Sequence, residues 1–392
     1  MRTPARRIAA LASLLVLGAC SSGGAEGSAS TSSATATATA SPTPSPAPPV
    51  DPVTVALAGM DRRTQVGQLF VAGVRLDDLA AGDGLASGGV GGIFLAGRSS
   101  AAATDLAGTV AGWQSLTPGP RLWVAADQEG GRVQSLRGPG LEPLPSALDQ
   151  GALPPGELAA FADRMGAGLQ SAGINLDLAP VADVVPAGTE SANPPIGAVD
   201  RQYGSTADVV VAAAGTVIDG LAAHGVTATL KHFPGLGRVQ ANTDTTADVV
   251  DSTTTAGDDQ VAAFGTLARS PARPFVMTSS ATYTSLDPTT QAVFSPVVVT
   301  DLLRGTLRFD GVVITDDVGN AAAVRAVPPG ERAVRFLAAG GTLVLTVDAA
   351  LVPEMIDAVL ARSDADPAFA GTVDAAVRTA LLAKDRAGLL PG

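Results

Sequence analysis

Short apolar runs alternate with longer helical stretches along most of the chain beyond residue 51. The runs show little alternation of apolar and polar positions, which is typical of strands buried on both faces of a parallel sheet. Each run is followed by a loop bearing glycine or aspartate and then by a helical pattern rich in Ala, Leu and Val. The predicted strands are 68–74, 91–97, 122–127, 174–180, 226–232, 275–280, 311–317 and 342–348.

Eight strand–helix units in one continuous stretch predict an α/β protein with a single (β/α)8 barrel domain over residues 51–392. An open doubly wound sheet is the competing architecture, but no glycine-rich dinucleotide fingerprint follows the first predicted strand. In a barrel of this kind, the functional side chains lie at the carboxyl ends of the strands. Polar residues at the ends of the predicted strands are therefore the candidates for function.

The first 50 residues differ in composition from the rest of the chain. Residues 1–19 hold three arginines, then an apolar stretch too short to span a bilayer, which predicts an export signal. The signal ends in LGAC, which resembles the bacterial lipobox and implies lipidation of Cys20, with a chance cysteine in an ordinary signal as the alternative. Residues 20–50 are mostly Ser, Thr, Ala and Pro and predict a disordered tether. The expectation is an exported protein, lipid-anchored to the outer face of the cell membrane.

The charge balance excludes some partners. The chain has 37 acidic and 25 basic residues, a net charge of −12, and loss of the export signal makes it more negative. Such an acidic body argues against nucleic acid and against electrostatic attraction to anionic lipid.

The sequence shows no histidine–cysteine cluster and no cofactor motif, so we expect neither a metal nor an organic cofactor. We also expect a monomer.

Lysine and histidine are rare in this chain, with two of each, and Lys231 and His232 are adjacent. They end the predicted strand 226–232, where two donors side by side can bind neighbouring hydroxyl groups of a small polar substrate. The alternative for His232 is a buried histidine satisfied by the backbone. His224 is interpreted only as a helix C-terminal residue.

Two adjacent acids end the run GVVITDD. Neighbouring strand residues point to opposite sides, so only one of Asp316 and Asp317 faces the barrel axis. A carboxylate near a lysine and an arginine stays ionised and is able to attack an electrophilic carbon. We assign that role to Asp316 and interpret Asp317 as a helix N-cap.

Two loops supply further polar candidates. In DQEGGRVQ, Asp127 ends a predicted strand and is suited to accept hydrogen bonds from vicinal sugar hydroxyls. Glu129 is interpreted as a structural hydrogen-bonding residue. In NPPIGAVDRQYG, Arg201 either reaches a substrate through its planar fork or forms a surface salt bridge with Asp200.

Together, KHFPG after a strand, DQEGGRVQ and VITDD resemble family 3 glycoside hydrolases, specifically the single-barrel bacterial β-N-acetylglucosaminidases. The resemblance runs from about Met60 to the last helical stretch. It implies retaining, exo-acting removal of a terminal β-linked N-acetylhexosamine, or glucose, from a cell-wall-type glycan. It further implies that Asp316 is the nucleophile. The residues that would hold the terminal sugar are Asp127, Arg201, Lys231 and His232.

The chain departs from the family at the group that protonates the leaving oxygen. Relatives carry a histidine in an Asp-Ser-His triplet after KHFPG, and the same positions here read Asn242-Thr243-Asp244. Asp244 is one candidate acid/base, since a carboxylic acid in a closed pocket can hold a proton. Asp248 and Asp251 are others.

A third interpretation is a glycan-binding lipoprotein that keeps the sugar-binding groups and has lost turnover. Relatives often carry a histidine near Ser280 as well, so specificity for the 2-acetamido group stays open and a plain glucoside is possible.

Overall fold

Eight parallel strands form a closed ring in the part of the chain that the structure describes. The structure is a computed structural model and describes residues 51–390. The strands are β1 (Phe70–Arg75), β2 (Gly92–Ala96), β3 (Trp123–Ala126), β4 (Leu176–Asp177), β5 (Thr229–Phe233), β6 (Phe275–Thr278), β7 (Val313–Thr315) and β8 (Val344–Thr346). They pair in the order β8-β1-β2-β3-β4 and, in a second set, β7-β6-β5. Bridges from Leu176 to Thr227 and from Ile314 to Leu343 join the two sets. The predicted (β/α)8 barrel is confirmed.

Helices surround the ring and follow each strand. Their bounds are α1 (Pro52–Ala58), α2 (Arg62–Gly67), α3 (Gly82–Ser87), α4 (Ala103–Leu116), α5 (Ala147–Gly151), α6 (Pro155–Ser171), α7 (Ala207–Ala223), α8 (Asp259–Leu267), a π-helical segment (Val297–Thr306), α9 (Pro329–Ala338), α10 (Val352–Ala365) and α11 (Pro367–Arg386). Proline occupies the first turn of α6, α9, α10 and α11, where its missing N–H costs nothing. None of the helices within residues 51–390 is long and apolar enough to cross a membrane.

The core explains why the strands read as unbroken apolar runs. All five residues of β2 are buried, because one face points to the barrel interior and the other to the helices. Gly73 of β1 lies so close to the backbone of Val347 that a Cβ at that position would overlap its carbonyl oxygen. Trp123 packs edge-to-face on Phe275, with ring centroids 5.2 Å apart. Gly73 therefore permits the close approach of β1 to the end of β8, and the aromatic pair packs β3 against β6, which is not its neighbour in the ring.

Each predicted strand overlaps an observed one, and the observed strands are shorter, although β1 and β5 each extend one residue past the predicted end. The largest difference is β4, predicted over 174–180 and observed over Leu176–Asp177. The prediction included Pro180, which has no N–H to donate to a neighbouring strand. The predicted export signal, the tether and the lipidation site Cys20 lie outside the described residues.

Lys384 of α11 is buried in the core, and no carboxylate among residues 51–390 pairs with it. Its side chain is 0% exposed, and Nζ donates a hydrogen bond of 2.6 Å to Oε1 of Gln68. Burial lowers the pKa of Lys384 to about 7. The cause is the loss of hydration by the ammonium group, which disfavours the charged form.

We expect Lys384→Met to remove a pH-dependent part of the stability. A lysine in the unfolded chain titrates near 10.4, so between about pH 7 and 10 the unfolded state binds a proton that the folded state lacks. The free energy of unfolding of the wild type therefore rises with pH in this window, and this contribution is constant below it. Chemical denaturation should show the wild type gaining about 2 kcal/mol relative to the variant between pH 7 and pH 9. A difference that is independent of pH would contradict the assignment.

Candidate active site

The side chains at the carboxyl ends of the strands line one cavity of about 290 Å³. The six candidate residues from the sequence all contribute to it: Asp127, Arg201, Lys231, His232, Asp244 and Asp316. Apolar contributions come from both the barrel and its loops, and include Phe94, Val133, Leu178, Pro195, Leu236, Met277, Leu345 and Val347. Two larger grooves with mainly apolar walls, of about 490 and 550 Å³, lie elsewhere on the described surface, as does a third cavity of about 630 Å³. The charged groups converge at the barrel mouth.

Lys231 lies between two carboxylates. Its Nζ is 2.8 Å from Oδ1 of Asp127 and 2.6 Å from Oε1 of Glu129, and its side chain is only 3% exposed. Burial disfavours the ammonium form, but the two carboxylates outweigh burial and raise the pKa of Lys231. Lys231 is therefore a fixed cation at the floor of the cavity. Its third N–H has no acceptor among residues 51–390 and is available to a ligand.

Glu129 organises the cationic side of the site. Its carboxylate accepts Nε and Nη2 of Arg201 at 2.8 and 2.6 Å, in addition to Lys231. Burial disfavours the ionised form of Glu129, but the positive charges of Arg201 and Lys231 and their hydrogen bonds outweigh burial. The pKa of Glu129 is therefore lowered to about 2. The interpretation of Glu129 as a structural hydrogen-bonding residue is confirmed.

The alternative salt bridge between Arg201 and Asp200 is wrong. Asp200 adopts a left-handed conformation, with φ of 60°, at the end of a short 3-10 turn. Arg201 instead reaches across the loop to Glu129, and its Nη1 donates to the carbonyl oxygen of Pro195 at 2.8 Å. The guanidinium plane is therefore fixed beside the cavity.

His232 is held by a buried aspartate. Its Nδ1 lies 2.8 Å from Oδ2 of Asp183, and Oδ1 of Asp183 accepts the backbone N–H groups of His232 and Leu236 at 3.1 and 2.7 Å. Because an ionised carboxylate only accepts hydrogen bonds, Nδ1 donates and Nε2 is left for a ligand. The alternative of a histidine satisfied only by the backbone is wrong. The peptide bond between Lys231 and His232 is cis.

Asp316 presents a carboxylate at the end of β7. Its Oδ1 accepts the N–H of Asp317 at 2.8 Å, and within residues 51–390 no donor meets Oδ2. Burial raises the pKa of Asp316, and the negative charge of Asp244 adds to this rise. His232 and Lys231 act in the opposite direction. Asp316 therefore has one free oxygen facing the cavity.

Asp317 caps a turn rather than a helix. Its Oδ1 accepts the N–H groups of Gly319 and Val347 at 2.8 and 2.9 Å, and its Oδ2 accepts that of Asn320 at 3.0 Å. The predicted helix N-cap is wrong because α9 begins only at Pro329. Asp317 thus ties the loop after β7 to the end of β8.

Asp244 faces the same cavity as Asp316 from the loop after β5. Its N–H donates to Oδ1 of Asn242 at 2.9 Å. The carbonyl oxygens of Thr243 and Asp244 accept the N–H groups of Ala323 and Ala322, each at 3.0 Å. The loop after β7 therefore holds the loop that carries Asp244.

The other candidate acids lie outside the cavity lining. Asp251 is buried, and its carboxylate accepts hydrogen bonds from the backbone and hydroxyl groups of Thr253 and Thr254 at 2.6–3.0 Å. Asp248 is exposed, in a left-handed conformation. Ser280 is buried too, and its hydroxyl has no hydrogen-bond partner in the described part of the chain. Of the three candidate acids, only Asp244 lines the same cavity as Asp316.

Sequence reasoning placed Asp177 and Asp183 among the polar residues at the strand ends but gave neither of them a role. Asp183 ends the APVAD segment after β4 and orients His232. Asp177, at the end of β4, is fully buried with Oδ2 unpartnered in the described residues, and burial raises its pKa to about 8. Their strand-end positions were the available signal.

The chain is similar to known glycoside hydrolases over most of its length. The glycosyl hydrolase family 3 N-terminal domain matches residues 62–379. A β-hexosaminidase of Stenotrophomonas maltophilia (strain K279a) is 34% identical over 300 residues, which cover 74% of this chain and 86% of that protein.

Solved structures agree. The crystal structure of a β-N-acetylhexosaminidase from Beutenbergia cavernae DSM 12333 is 47% identical with a TM-score of 0.80, covering 83% of this chain and 99% of that one. LpqI of M tuberculosis is 30% identical with a TM-score of 0.72, covering 84% of this chain and 95% of that one. The chain therefore belongs to glycosyl hydrolase family 3 and is a glycoside hydrolase.

Proposed function

We propose that the protein is a retaining, exo-acting hydrolase that removes a terminal β-linked N-acetylhexosamine from a cell-wall-type glycan. The observation that carries the proposal is the pair of carboxylates, Asp316 and Asp244, facing one cavity beside a set of sugar-binding donors. Retaining glycosidases use two carboxyl groups about 5–5.5 Å apart, one as nucleophile and one as acid/base. The names of the hexosaminidase relatives favour N-acetylhexosamine over glucose.

The first chemical step forms a glycosyl-enzyme. The free oxygen of Asp316 attacks C1 of the sugar while the bond from C1 to the leaving oxygen breaks. Asp244 gives its proton to that oxygen, so the aglycone leaves as an alcohol. In the second step Asp244 takes a proton from water, the water oxygen attacks C1, and Asp316 is released as a carboxylate.

The surrounding charges favour this assignment of roles. His232 and Lys231 stabilise negative charge on Asp316, whereas no protein donor among residues 51–390 meets the carboxylate of Asp244. Asp316 therefore suits the anionic nucleophile, and Asp244 is left for the acid/base role.

The size of the cavity supports exo action. About 290 Å³ accommodates one sugar ring with its substituents but not a chain of rings. Lys231, Asp127 and Arg201 line one wall, where they exchange hydrogen bonds with ring hydroxyls. Val133, in the loop after β3, also lines the cavity, and we place the leaving group on the side of this loop and of the neighbouring loop after β2.

The loops after β2 and β3 carry arginines that suit an anionic aglycone. Arg98, Arg132 and Arg137 are exposed and form no ion pair with any carboxylate in residues 51–390, although the protein is acidic overall. Nη2 of Arg98 donates to the carbonyl oxygen of Arg132 at 2.9 Å. A cell-wall sugar that carries a carboxylate beside the scissile bond matches this charge. Lipid attachment at Cys20 would hold the enzyme at the outer face of the membrane, near such a substrate.

The test follows the configuration of the released sugar by ¹H NMR, using aryl β-glycosides of N-acetylglucosamine, N-acetylgalactosamine and glucose. The expected result is turnover of an N-acetylhexosaminide with the β-anomer formed first. Disaccharides with and without a carboxylate on the aglycone should differ in kcat/KM at low salt, and the preference should fall as salt rises. An α-anomer formed first would overturn retention. Binding of sugars without any turnover would support the alternative interpretation, a glycan-binding lipoprotein that has lost turnover.

A further inference from the structure

Gln291 links the loops that follow β6 and β7. Its Nε2 donates to the carbonyl oxygen of Ser280 at 3.1 Å and to that of Ala323 at 2.6 Å. Both N–H groups of the side-chain amide are therefore used. The backbone of Gln291 is itself fixed by a bridge to Thr282. Gln291 thus joins one rigid segment to a short 3-10 turn, Ala322–Val324.

That turn holds the loop of Asp244. Ala323 accepts the amide of Gln291 through its carbonyl and donates its N–H to the carbonyl of Thr243 at 3.0 Å. The neighbouring N–H of Ala322 donates to the carbonyl of Asp244, also at 3.0 Å. The position of the Asp244 backbone therefore depends on Gln291 through two intermediate residues.

The side chain of Asp244 has no support of its own. It is exposed, and no hydrogen bond holds its carboxylate within residues 51–390. Its place in the lining of the cavity that also contains Asp316 consequently depends on the backbone. We propose that Gln291 is a positioning residue that keeps Asp244 within reach of the leaving oxygen. This inference rests on the proposed role of Asp244 as acid/base.

Catalysis is sensitive to such placement. Proton transfer needs heavy atoms about 2.6–3.2 Å apart, and a misplacement of about 1 Å can cost roughly 10²-fold. An error in the position of the acid affects only those substrates whose leaving group needs a proton. A substrate with a strongly acidic leaving group, such as 2,4-dinitrophenol, departs without one. The leaving group therefore separates a displaced acid from general damage.

The experiment compares kcat/KM of Gln291→Met and wild type on a 2,4-dinitrophenyl glycoside and on an unactivated alkyl glycoside of the same sugar. We expect a loss of about tenfold or more with the alkyl glycoside, from partial loss of acid catalysis. With the dinitrophenyl glycoside the two proteins should agree within about twofold. The parameter kcat/KM is chosen because it reports the step up to cleavage of the glycosidic bond.

Gln65→Met is the matched control. The amide of Gln65 also donates to two backbone carbonyls, those of Leu57 and Met60 at 3.1 and 3.2 Å, but in α2 before the first strand. We expect Gln65→Met to leave kcat/KM unchanged on both substrates. Gln291→Glu is a second variant. At acid pH its protonated carboxyl donates one of the two hydrogen bonds again, so its deficit relative to wild type should shrink there.

Equal losses with both leaving groups, or no loss with either, would overturn the positioning role. Asp244→Ala separates this failure from failure of the proposed function. If Asp244→Ala itself shows no dependence on the leaving group, the acid/base assignment falls. If Asp244→Ala shows it and Gln291→Met does not, only the positioning role falls. If Gln291→Met does not fold, Gln291→Glu measured across the pH range is the deciding variant.

Discussion

Asp316→Asn is expected to lower kcat/KM by on the order of 10⁴-fold or more, comparable to removal of other covalent nucleophiles. The amide cannot ionise and is a poor nucleophile, so no glycosyl-enzyme forms. Its oxygen is still able to accept the N–H of Asp317, now 2.8 Å from Oδ1, so the fold should persist. Substrate binding should remain, because Lys231, Asp127 and Arg201 are unchanged. Steady-state kinetics and calorimetric binding of the sugar measure the two effects separately.

The same substitution should abolish covalent labelling. A fluorinated glycosyl fluoride slows the second step, so the wild type should accumulate an adduct that mass spectrometry places on the peptide of Asp316. Asp317→Asn is the neighbouring control. It disturbs three backbone hydrogen bonds and should lower stability while labelling persists. An adduct that survives in Asp316→Asn would contradict the assignment.

The pH profile offers an independent check on Asp316. Burial, together with the charge of Asp244, raises its pKa. The nucleophile must be ionised, so activity is lost as pH falls through this raised pKa. The acid limb of kcat/KM should therefore lie above the ordinary range of an aspartate, near 3.9.

The barrel and its site residues could be predicted because both follow local rules. Strands buried on two faces read as unbroken apolar runs, and the carboxyl ends of parallel strands meet at one edge. Asp127, Lys231 and Asp316 each follow such a run directly, so their common cavity follows from strand order alone. The sequence pattern therefore located the mouth of the barrel without knowledge of any contact.

Contacts across the barrel could not be predicted in this way. Arg201 pairs with Glu129, 72 positions earlier, rather than with its neighbour Asp200. His232 pairs with Asp183, and Lys384 is buried against Gln68, 316 positions away. A local sequence pattern does not identify the partner of any of these three residues, because each partner depends on how distant segments of the chain meet. For the same reason the link from Gln291 to Asp244 has no signature in the sequence.

The effect of Asp244→Ala on kcat/KM is expected to depend on the leaving group of the substrate. For an alkyl glycoside, kcat/KM should fall by about 10²–10⁴-fold, the usual contribution of general acid catalysis. For a 2,4-dinitrophenyl glycoside it should change by no more than about threefold, since that leaving group needs no proton. Asp248→Asn is the matched control, because Asp248 lies in the same loop but outside the cavity lining and asparagine tolerates its φ of 54°.

Azide then decides between an enzyme and a binding protein. Without Asp244 no base activates water, so the glycosyl-enzyme on Asp316 should persist and kcat on the dinitrophenyl glycoside should fall. Azide needs no base, and removal of the Asp244 carboxylate lets this anion approach. Its nitrogen attacks C1 as the bond to Asp316 breaks, so kcat should recover and a β-glycosyl azide should appear. Recovery with a β-product would show that Asp316 forms a bond to C1 and that Asp244 normally assists reaction at the same carbon. A protein that only binds glycans would form no such product. Loss of kcat without recovery would place the acid/base elsewhere and leave the Asn242-Thr243-Asp244 triplet without a catalytic role.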